Sequence, residues 1–427
     1  MRRRALRVPH LSLHHRRGLD ALLRRSGVHC GRTSQTARAG ERAVIAQPLL
    51  LLAFLLLIIA AARQAEERFP VIQKISSAVV CTLLGILLAN IGLIPRGGEF
   101  MGSLSRYAIP YAIVLFVLST RLADLRTAGP RMVFGFGIAG FGTFVGAFVA
   151  SLLFAGVLGP ETWKLGGTFA GAFWGGGLNF AAVGQGLEMT PSLFAGAFVV
   201  DNLSTVPWML GQVALASALA GVFLRRAKPD ALDAAADDSD VDTDALRRTW
   251  TEGSISITHL AILAAIPLLA LAAAGQFARV LPGVPEVLWL TTLALILGQI
   301  PAIQRLKGSA MLSYFALHLF FIVIGAGSDV REVVAAGPWL FFYMILIILI
   351  HASVLYGIGW LLRFDLATIT LSSQAAVGGP GSALALGMAL KWKHRIAPAV
   401  IMGIFGYGFG NYLGFGVAYL LRGVLPG

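Results

Sequence analysis

The chain has 427 residues, 57% of them hydrophobic and 13% charged, about half the roughly 25% charged content of a soluble domain. Of its 55 Lys, Arg, Asp and Glu residues, 26 lie in 1–42 and 225–253. The long charge-free runs elsewhere exclude a soluble helical protein, which would need a polar face for water. The net charge of +13 comes mostly from 1–42, with 11 arginines against Asp20 and Glu41, so it makes a poor case for nucleic-acid binding. Two cysteines, Cys30 and Cys81, give no disulfide framework and no cysteine metal site.

In chain order the basic segment 1–42 comes first. Three readings fit it: an organelle transit peptide, a basic arm on anionic lipid, and an upstream extension from a misassigned start codon. The last is favoured. A secretory signal does not fit, because no apolar core precedes Ala43. Ten stretches are then expected to span a bilayer as helices, each with about 20 apolar residues: 43–62, 71–94, 106–123, 131–157, 191–222, 254–274, 286–303, 309–326, 338–362 and 396–421. Two glycine-interrupted segments are left over, 164–187 and 366–390. The segment 223–253 is polar and acidic and reads as a solvated linker. Short loops on the linker side carry the Lys and Arg excess, which places the linker in the cytoplasm. The expected location is a bacterial cytoplasmic membrane, with an organelle membrane as the alternative.

The two halves echo one another. "STRLADLRTAGP" (119–130) matches "GAGSDVREVVAAGP" (325–338), and "GGGLNFAA" (175–182) matches "GGPGSALA" (378–385). A first transmembrane repeat is expected over 43–222 and a second over 254–427. Each half has five expected spans and one broken segment. If the broken segment enters and leaves on one face, each half crosses an odd number of times and the second half is inverted. The fold class expected is therefore an all-α integral membrane protein of about ten transmembrane helices, two broken or re-entrant segments and two inverted repeats. Non-helical backbone at membrane depth is tolerated only where protein buries it or a cavity lines it. Matched breaks in two halves point to a binding site.

The candidate substrate-binding residues are those of the breaks: Gly176, Gly177, Asn179, Gln185, Gln374, Gly379, Gly381 and Ser382. Their side chains are neutral, and amides at half-helix starts suit an anionic group. Close helix packing by small residues is the competing explanation for the glycines. Asp201 is the only carboxylate inside a charge-free span, and ionisable groups there are costly. With Asn202, Ser204 and Asn411 it forms the candidate coupling-ion set; an Asp-Asn helix cap is the plainer alternative. His318 and His351 fall near mid-span and are candidates for a proton relay, or else neutral hydrogen-bonding groups between helices. "GFGIAG" (135–140) matches a nucleotide-binding pattern, but it follows no strand and reads as tight helix packing.

The runs "LSTRLADLRTAGP", "GAFWGGGLNFAAVGQGLEM" and "SQAAVGGPGSALALGMALKWKHRIAPAVIMGIFGYGFGNYLG" resemble the domain of unknown function 819 family, over roughly 45–422. That family looks related to the cation–proton antiporter and anion transporter superfamily. The resemblance implies an inverted-repeat, elevator-like transporter and names no substrate. Asp201 is followed by Asn202 where such antiporters often pair two acids, which weighs against electrogenic antiport. The expected function is secondary active transport of a small organic anion or amino acid, coupled to sodium or protons. A cation/proton antiporter is the alternative. An intramembrane hydrolase, with Ser382 and His351 as the candidate pair, is a remote one. No enzyme activity, cofactor, metal or nucleic-acid partner is expected. The partners are the lipid bilayer, a small substrate and its coupling ion, with a homodimer left open.

Overall fold

The structure, a computed structural model, describes residues 43–225 and 256–425. The basic segment 1–42, and the linker from 226 on, lie outside the described residues. Within them the chain is helical throughout and contains no strand. The first half comprises α1 Pro48–Arg68, the short α2 Pro70–Ile75, α3 Ser77–Asn90, α4 Glu99–Val117, the single turn α5 Leu125–Ala128 and α6 Pro130–Leu158. It continues through α7 Thr162–Gly175 and α8 Gly177–Gly186 to α9 Pro191–Leu224. The second half comprises α10 Ile257–Val280, α11 Glu286–Gly298, the short α12 Pro301–Gln304, α13 Ser309–Ala326, α14 Val330–Leu361, α15 Leu366–Val377, α16 Gly379–Ala389 and α17 Lys393–Val424.

Eight of these helices, α1, α4, α6, α9, α10, α13, α14 and α17, are long and apolar enough to cross a bilayer. The chain is an all-α polytopic membrane protein. Two of the expected spans, 71–94 and 286–303, are shorter than anticipated. They become α3, of 14 residues, and α11, of 13 residues. At about 1.5 Å per residue each covers about 20 Å, less than the ~30 Å of a hydrocarbon core. Hydropathy counted apolar loop residues such as Ile91, Leu93 and Ile94 as helix. The backbone turns at Ser76 (φ 74°) before α3 and at Gly92 (φ 81°) after it. Beyond α11, Pro301 disfavours helix at Ile300. In contrast, α14 begins eight residues before the expected 338, because Asp329 caps it by accepting a hydrogen bond from the Arg331 N–H at 2.8 Å.

The helices pack as two groups. One contains α1, α3, α4, α10, α11 and α13; the other contains α6–α9 and α14–α17. Within the second group α6 and α14 run antiparallel, since Thr143 meets His351 at 2.9 Å while Ser151 meets Tyr343 at 2.8 Å. Contact between the groups is made mainly where α8 lies on α4 and α11, α9 on α3 and α13, and α17 on α11. There Phe198 stacks on Phe321 with ring centroids 3.9 Å apart, and Phe194 meets Phe320 edge-on. The linker end of the bundle is the end where α9 finishes and α10 starts.

Two carboxamides at the ends of the short helices hold the loops between groups. The Asn90 Nδ2 donates to the Ile86 carbonyl at 2.7 Å and to the Ser328 carbonyl at 3.0 Å, while its Oδ1 accepts from the Val330 N–H at 3.4 Å. The Gln299 Nε2 donates to the Leu295 carbonyl at 2.8 Å and to the Thr120 carbonyl at 3.0 Å, while its Oε1 accepts from the Leu122 N–H at 3.1 Å. Each amide thus bonds its own helix at i−4 and clamps residues n and n+2 of a loop belonging to the other half. Thr120 and Leu122 lie between α4 and α6; Ser328 lies between α13 and α14, and Val330 opens α14. The clamps therefore sit at the two described chain crossings from one helix group to the other.

Candidate functional site

The first broken segment is a hairpin. Helix α7 loosens at Phe173 (φ −81°, ψ 26°) and stops at Gly176, whose φ of 79° and ψ of −157° suit only glycine. Helix α8 then returns. The base is tied shut by Lys164, whose Nζ donates to Glu161 at 2.6 Å and to the Glu188 carbonyl at 2.8 Å. Glu161 also accepts from the N–H and hydroxyl of Thr190 at 3.0 and 2.8 Å. Burial alone would raise the Glu161 carboxyl, but hydrogen bonds from Lys164 and Thr190 and the Lys164 charge hold it below its ordinary value. The tie is therefore intact at neutral pH and its contribution is lost only as pH falls below the usual carboxylate range.

The second broken segment is built the same way from the other end. Helix α15 stops at Gly378 (φ −111°) and Gly379 (φ 77°), and Pro380 bars helical backbone in the residue before it. Asp365 caps α15 by accepting from the Thr368 N–H at 2.8 Å, and pairs with the fully buried Arg395 at the start of α17, 3.3 Å away. The hairpin base is thus pinned at the linker end, whereas the first is pinned at the opposite end, beside the close of α17, where the Arg422 guanidinium lies over Trp163. Non-helical backbone is confined to a residue or two at each tip, and Asn179 and Ser382 are already helical.

The two tips meet. A Cβ on Gly379 would lie 4.0 Å from the Gly175 carbonyl oxygen and 3.4 Å from the Tyr407 hydroxyl. Both tips lean on α17, where Gly403 faces Pro380 and Gly406 faces the Trp174 carbonyl. Helix α9 closes the other side. Phe198 approaches Gly177, Thr205 approaches Gly378, and Trp208 and Gln212 donate to the Ser373 Oγ of α15 at 3.2 and 2.8 Å. Phe198, Asp201, Thr205, Trp208 and Gln212 follow i, i+3, i+7, i+10 and i+14, one stripe of the helix. Asp201 therefore faces the hairpins at the level between their tips. It is 6% exposed, and no described residue donates to its carboxylate or pairs with it. Gln374 is fully buried with both amide atoms unpartnered, and its Nε2 points at Gly378. The first N–H groups of α8 and α16 have no intrahelical acceptor. The meeting point thus gathers a carboxylate, a carboxamide and half-helix N-termini in a buried place.

The remaining candidates are distributed differently. Gly176, Gly177, Gly379, Gly381 and Ser382 are at the tips, with the Ser382 Oγ bonded to the Gly379 carbonyl at 3.0 Å. Asn179 is beside the first tip but turns to α17, donating to the Gly406 and Tyr407 carbonyls at 3.3 Å, with its Oδ1 unpartnered. Asn202 and Ser204 bond backbone carbonyls of α9, those of Phe198 and Asp201. Gln185 donates to the Ser105 carbonyl of α4, Asn411 donates to Thr291 of α11 at 2.9 Å, and His318 joins Ser77 of α3 at 2.8 Å. These last three tie helices together away from the tips.

His351 belongs to a buried network absent from the sequence reading. Trp208 and Gln212 both donate to Ser373, so the Ser373 hydroxyl proton goes to the His351 Nε2 at 2.9 Å. The Nδ1–H then donates to Thr143 at 2.9 Å, and Thr143 donates to the Ala139 carbonyl at 3.1 Å. Both ring nitrogens of a neutral imidazole are thereby used, and Ser382 takes no part. The pair of Ser382 and His351 is therefore not joined. Ser373→Ala should leave three buried polar groups without their partner and lower stability by about 2 kcal/mol, read as an earlier thermal unfolding transition in detergent. Unchanged stability with an altered pH dependence of uptake would instead assign the network to proton relay. The signal for it was the run Thr368, Thr370, Ser372, Ser373, Gln374, polar on every side of a helix yet wholly buried.

A cavity of about 230 Å³ lies on the flank of α6, α7 and α17, lined by Phe141, Phe144, Trp174 and Leu413. It is apolar and reaches the first tip only at Trp174. Among the described residues no cluster of three or more His, Cys, Asp or Glu side chains occurs. The sequence profile of the family described as "Protein of unknown function (DUF819)" matches residues 50–424. The Uncharacterized membrane protein YjcL of Bacillus subtilis (strain 168) is similar as well: 28% identical over 378 residues, covering 86% of this chain and 94% of its own length.

Proposed function

This chain belongs to the DUF819 family, and from that premise we propose that it is a secondary active transporter of a small organic anion or amino acid, driven by sodium or protons. The observation that carries this is the meeting of two oppositely pinned hairpins beside the buried, unpartnered Asp201. Half-helix N-termini favour the anionic group of a substrate. A carboxylate with no protein cation near it favours a bound cation or proton.

The inverted-repeat reading, with halves 43–222 and 254–427, is supported by register. Thr120 and Ser328, Leu122 and Val330, Pro130 and Pro338, and Thr143 and His351 are all 208 residues apart. The amide clamps hold corresponding pairs. Thr143 and His351 touch each other, as related residues do on a two-fold axis, and they do so on antiparallel helices. The two packing groups support an elevator-like motion of the hairpin group against the other. The same features are the support for the proposed kinship with cation–proton antiporters and anion transporters. Loop Lys and Arg residues favour the linker end as cytoplasmic.

The test is stabilisation of the purified protein by small carboxylates and amino acids, with and without sodium, followed by uptake into proteoliposomes. A true substrate at 100 times its Kd adds about 2.7 kcal/mol. No stabilisation and no uptake across the panel would sink the proposal. Dissipation of an imposed proton gradient by sodium alone, with no organic solute required, would favour the cation/proton antiporter.

A further inference from the structure

The two halves differ at one matched place. Ala128, Gly129 and Pro130 correspond to Ala336, Gly337 and Pro338, ten residues beyond the clamped Thr120 and Ser328 in each case if counted to the proline. In the first half Gly129 takes φ 77° and ψ 152°, and the chain turns sharply between α5 and α6. In the second half the same tripeptide lies inside the continuous helix α14, Val330–Leu361. Identical sequence at equivalent positions therefore holds two backbone states. Both are compatible with glycine followed by proline. Glycine accepts positive φ. Proline fits the first turn of a helix, as in α6, and within α14 it removes one backbone hydrogen bond and weakens the helix at that point.

A second difference accompanies the first. The return helix α8 is covered by α4 and α11. Its counterpart α16 packs on α15, α17, α7 and α9, and leaves the face of Gly381, Ala385 and Met388 exposed. One half is bent and covered; the other is straight and uncovered, at the linker end.

We propose that Gly129-Pro130 and Gly337-Pro338 are paired hinges, pivoting on the Gln299 and Asn90 clamps, and that the protein alternates by exchanging their states. In the exchanged form α14 bends at Gly337, α16 docks on α13 and α3, the first-half turn straightens into one helix, and α8 is uncovered at the opposite end. The exchange rests on the inverted-repeat transporter reading above, and it adds which residues move and which stay fixed.

Spin labels at two register-matched, exposed pairs report the two hinges: Leu122 with Phe141, and Val330 with Leu349. The background carries Cys30→Ser and Cys81→Ala. In the straight helix the second pair is about 28 Å apart, 19 residues at about 1.5 Å each, and straightening the turn at Gly129 would bring the first pair to that separation. The double substitution Gly129→Ala, Pro130→Ala favours a continuous helix in the first half. The expected result is a longer distance for 122–141 together with a new, shorter population for 330–349. Lengthening of 122–141 with 330–349 unchanged would overturn the exchange, and so would no change in either pair. Gly337→Ala with Pro338→Ala removes only helix-weakening residues, so the protein should fold; uptake should fall at least tenfold, and wild-type uptake would overturn the hinge. Uptake by the wild type without distance exchange would leave transport standing and remove the hinges. Exchange of distances in a protein that moves no solute would keep the hinges and sink transport.

Discussion

Asp201→Asn is expected to reduce ion- or proton-driven uptake by about 100-fold while leaving the protein folded. Asp201 faces the gap between the hairpin tips, 94% shielded, with no described partner for its carboxylate. Taking a lone charge out of water is costly, so the group must carry a proton or hold a cation when the site is closed. Removing one member of a buried charge pair typically costs about 3 kcal/mol or more, equal to about 100-fold in binding. Asparagine keeps the size and can hydrogen-bond, but it cannot change charge with occupancy. Thermal unfolding of the variant should stay near wild type, because no ion pair or hydrogen bond within the protein is lost. As an N-terminal helix cap the two residues rank nearly equal, and Asp201 is in any case ten residues inside α9. Uptake that kept its wild-type dependence on sodium and pH in the variant would remove Asp201 from the mechanism.

Gly406→Ala is expected to destabilise the protein by about 3 kcal/mol or more, through loss of docking of the first hairpin. Its Cβ would overlap the Trp174 carbonyl oxygen and lie 2.6 Å from the carbonyl carbon. Trp174 cannot retreat, because its ring already occupies the space that a Cβ on Gly140 would need and meets the Phe136 ring edge-on at 5.2 Å. Helix propensity alone predicts the opposite sign, a gain of up to about 1 kcal/mol for alanine over glycine. Gly416→Ala is the internal control. It lies in the same helix with nothing within 4 Å of its Cβ, and should be neutral or slightly stabilising. Equal thermal stability of the Gly406 and Gly416 variants would mean that the first tip does not rest on α17.

The fold and the candidate site were legible in the sequence to different depths. Membrane character followed from charge-free runs, since the cost of a charge in hydrocarbon belongs to each residue by itself. The positions of the breaks followed from Gly176 and from Gly379-Pro380, whose backbone limits act over one or two residues. Asp201 stood out for the same reason, as a lone carboxylate in an apolar span. Span boundaries failed where apolar residues such as Ile91 and Leu93 sit in a loop, because hydropathy does not distinguish an apolar helix from an apolar turn.

What only the tertiary structure decided is who meets whom. The sequence does not say that Gly379 lies against Gly175, that Asp201 finds no partner among the described residues, or that Gln374 is left unbonded beside them. It offered His351 as a titrating relay, and the structure surrounds it with Thr143 and Ser373. It gave no reason to expect one Ala-Gly-Pro to bend and its twin to run straight. Propensity, hydropathy and backbone limits are local and can be read residue by residue. Hydrogen-bond partners and close contacts between positions some 200 residues apart depend on how all the helices pack at once.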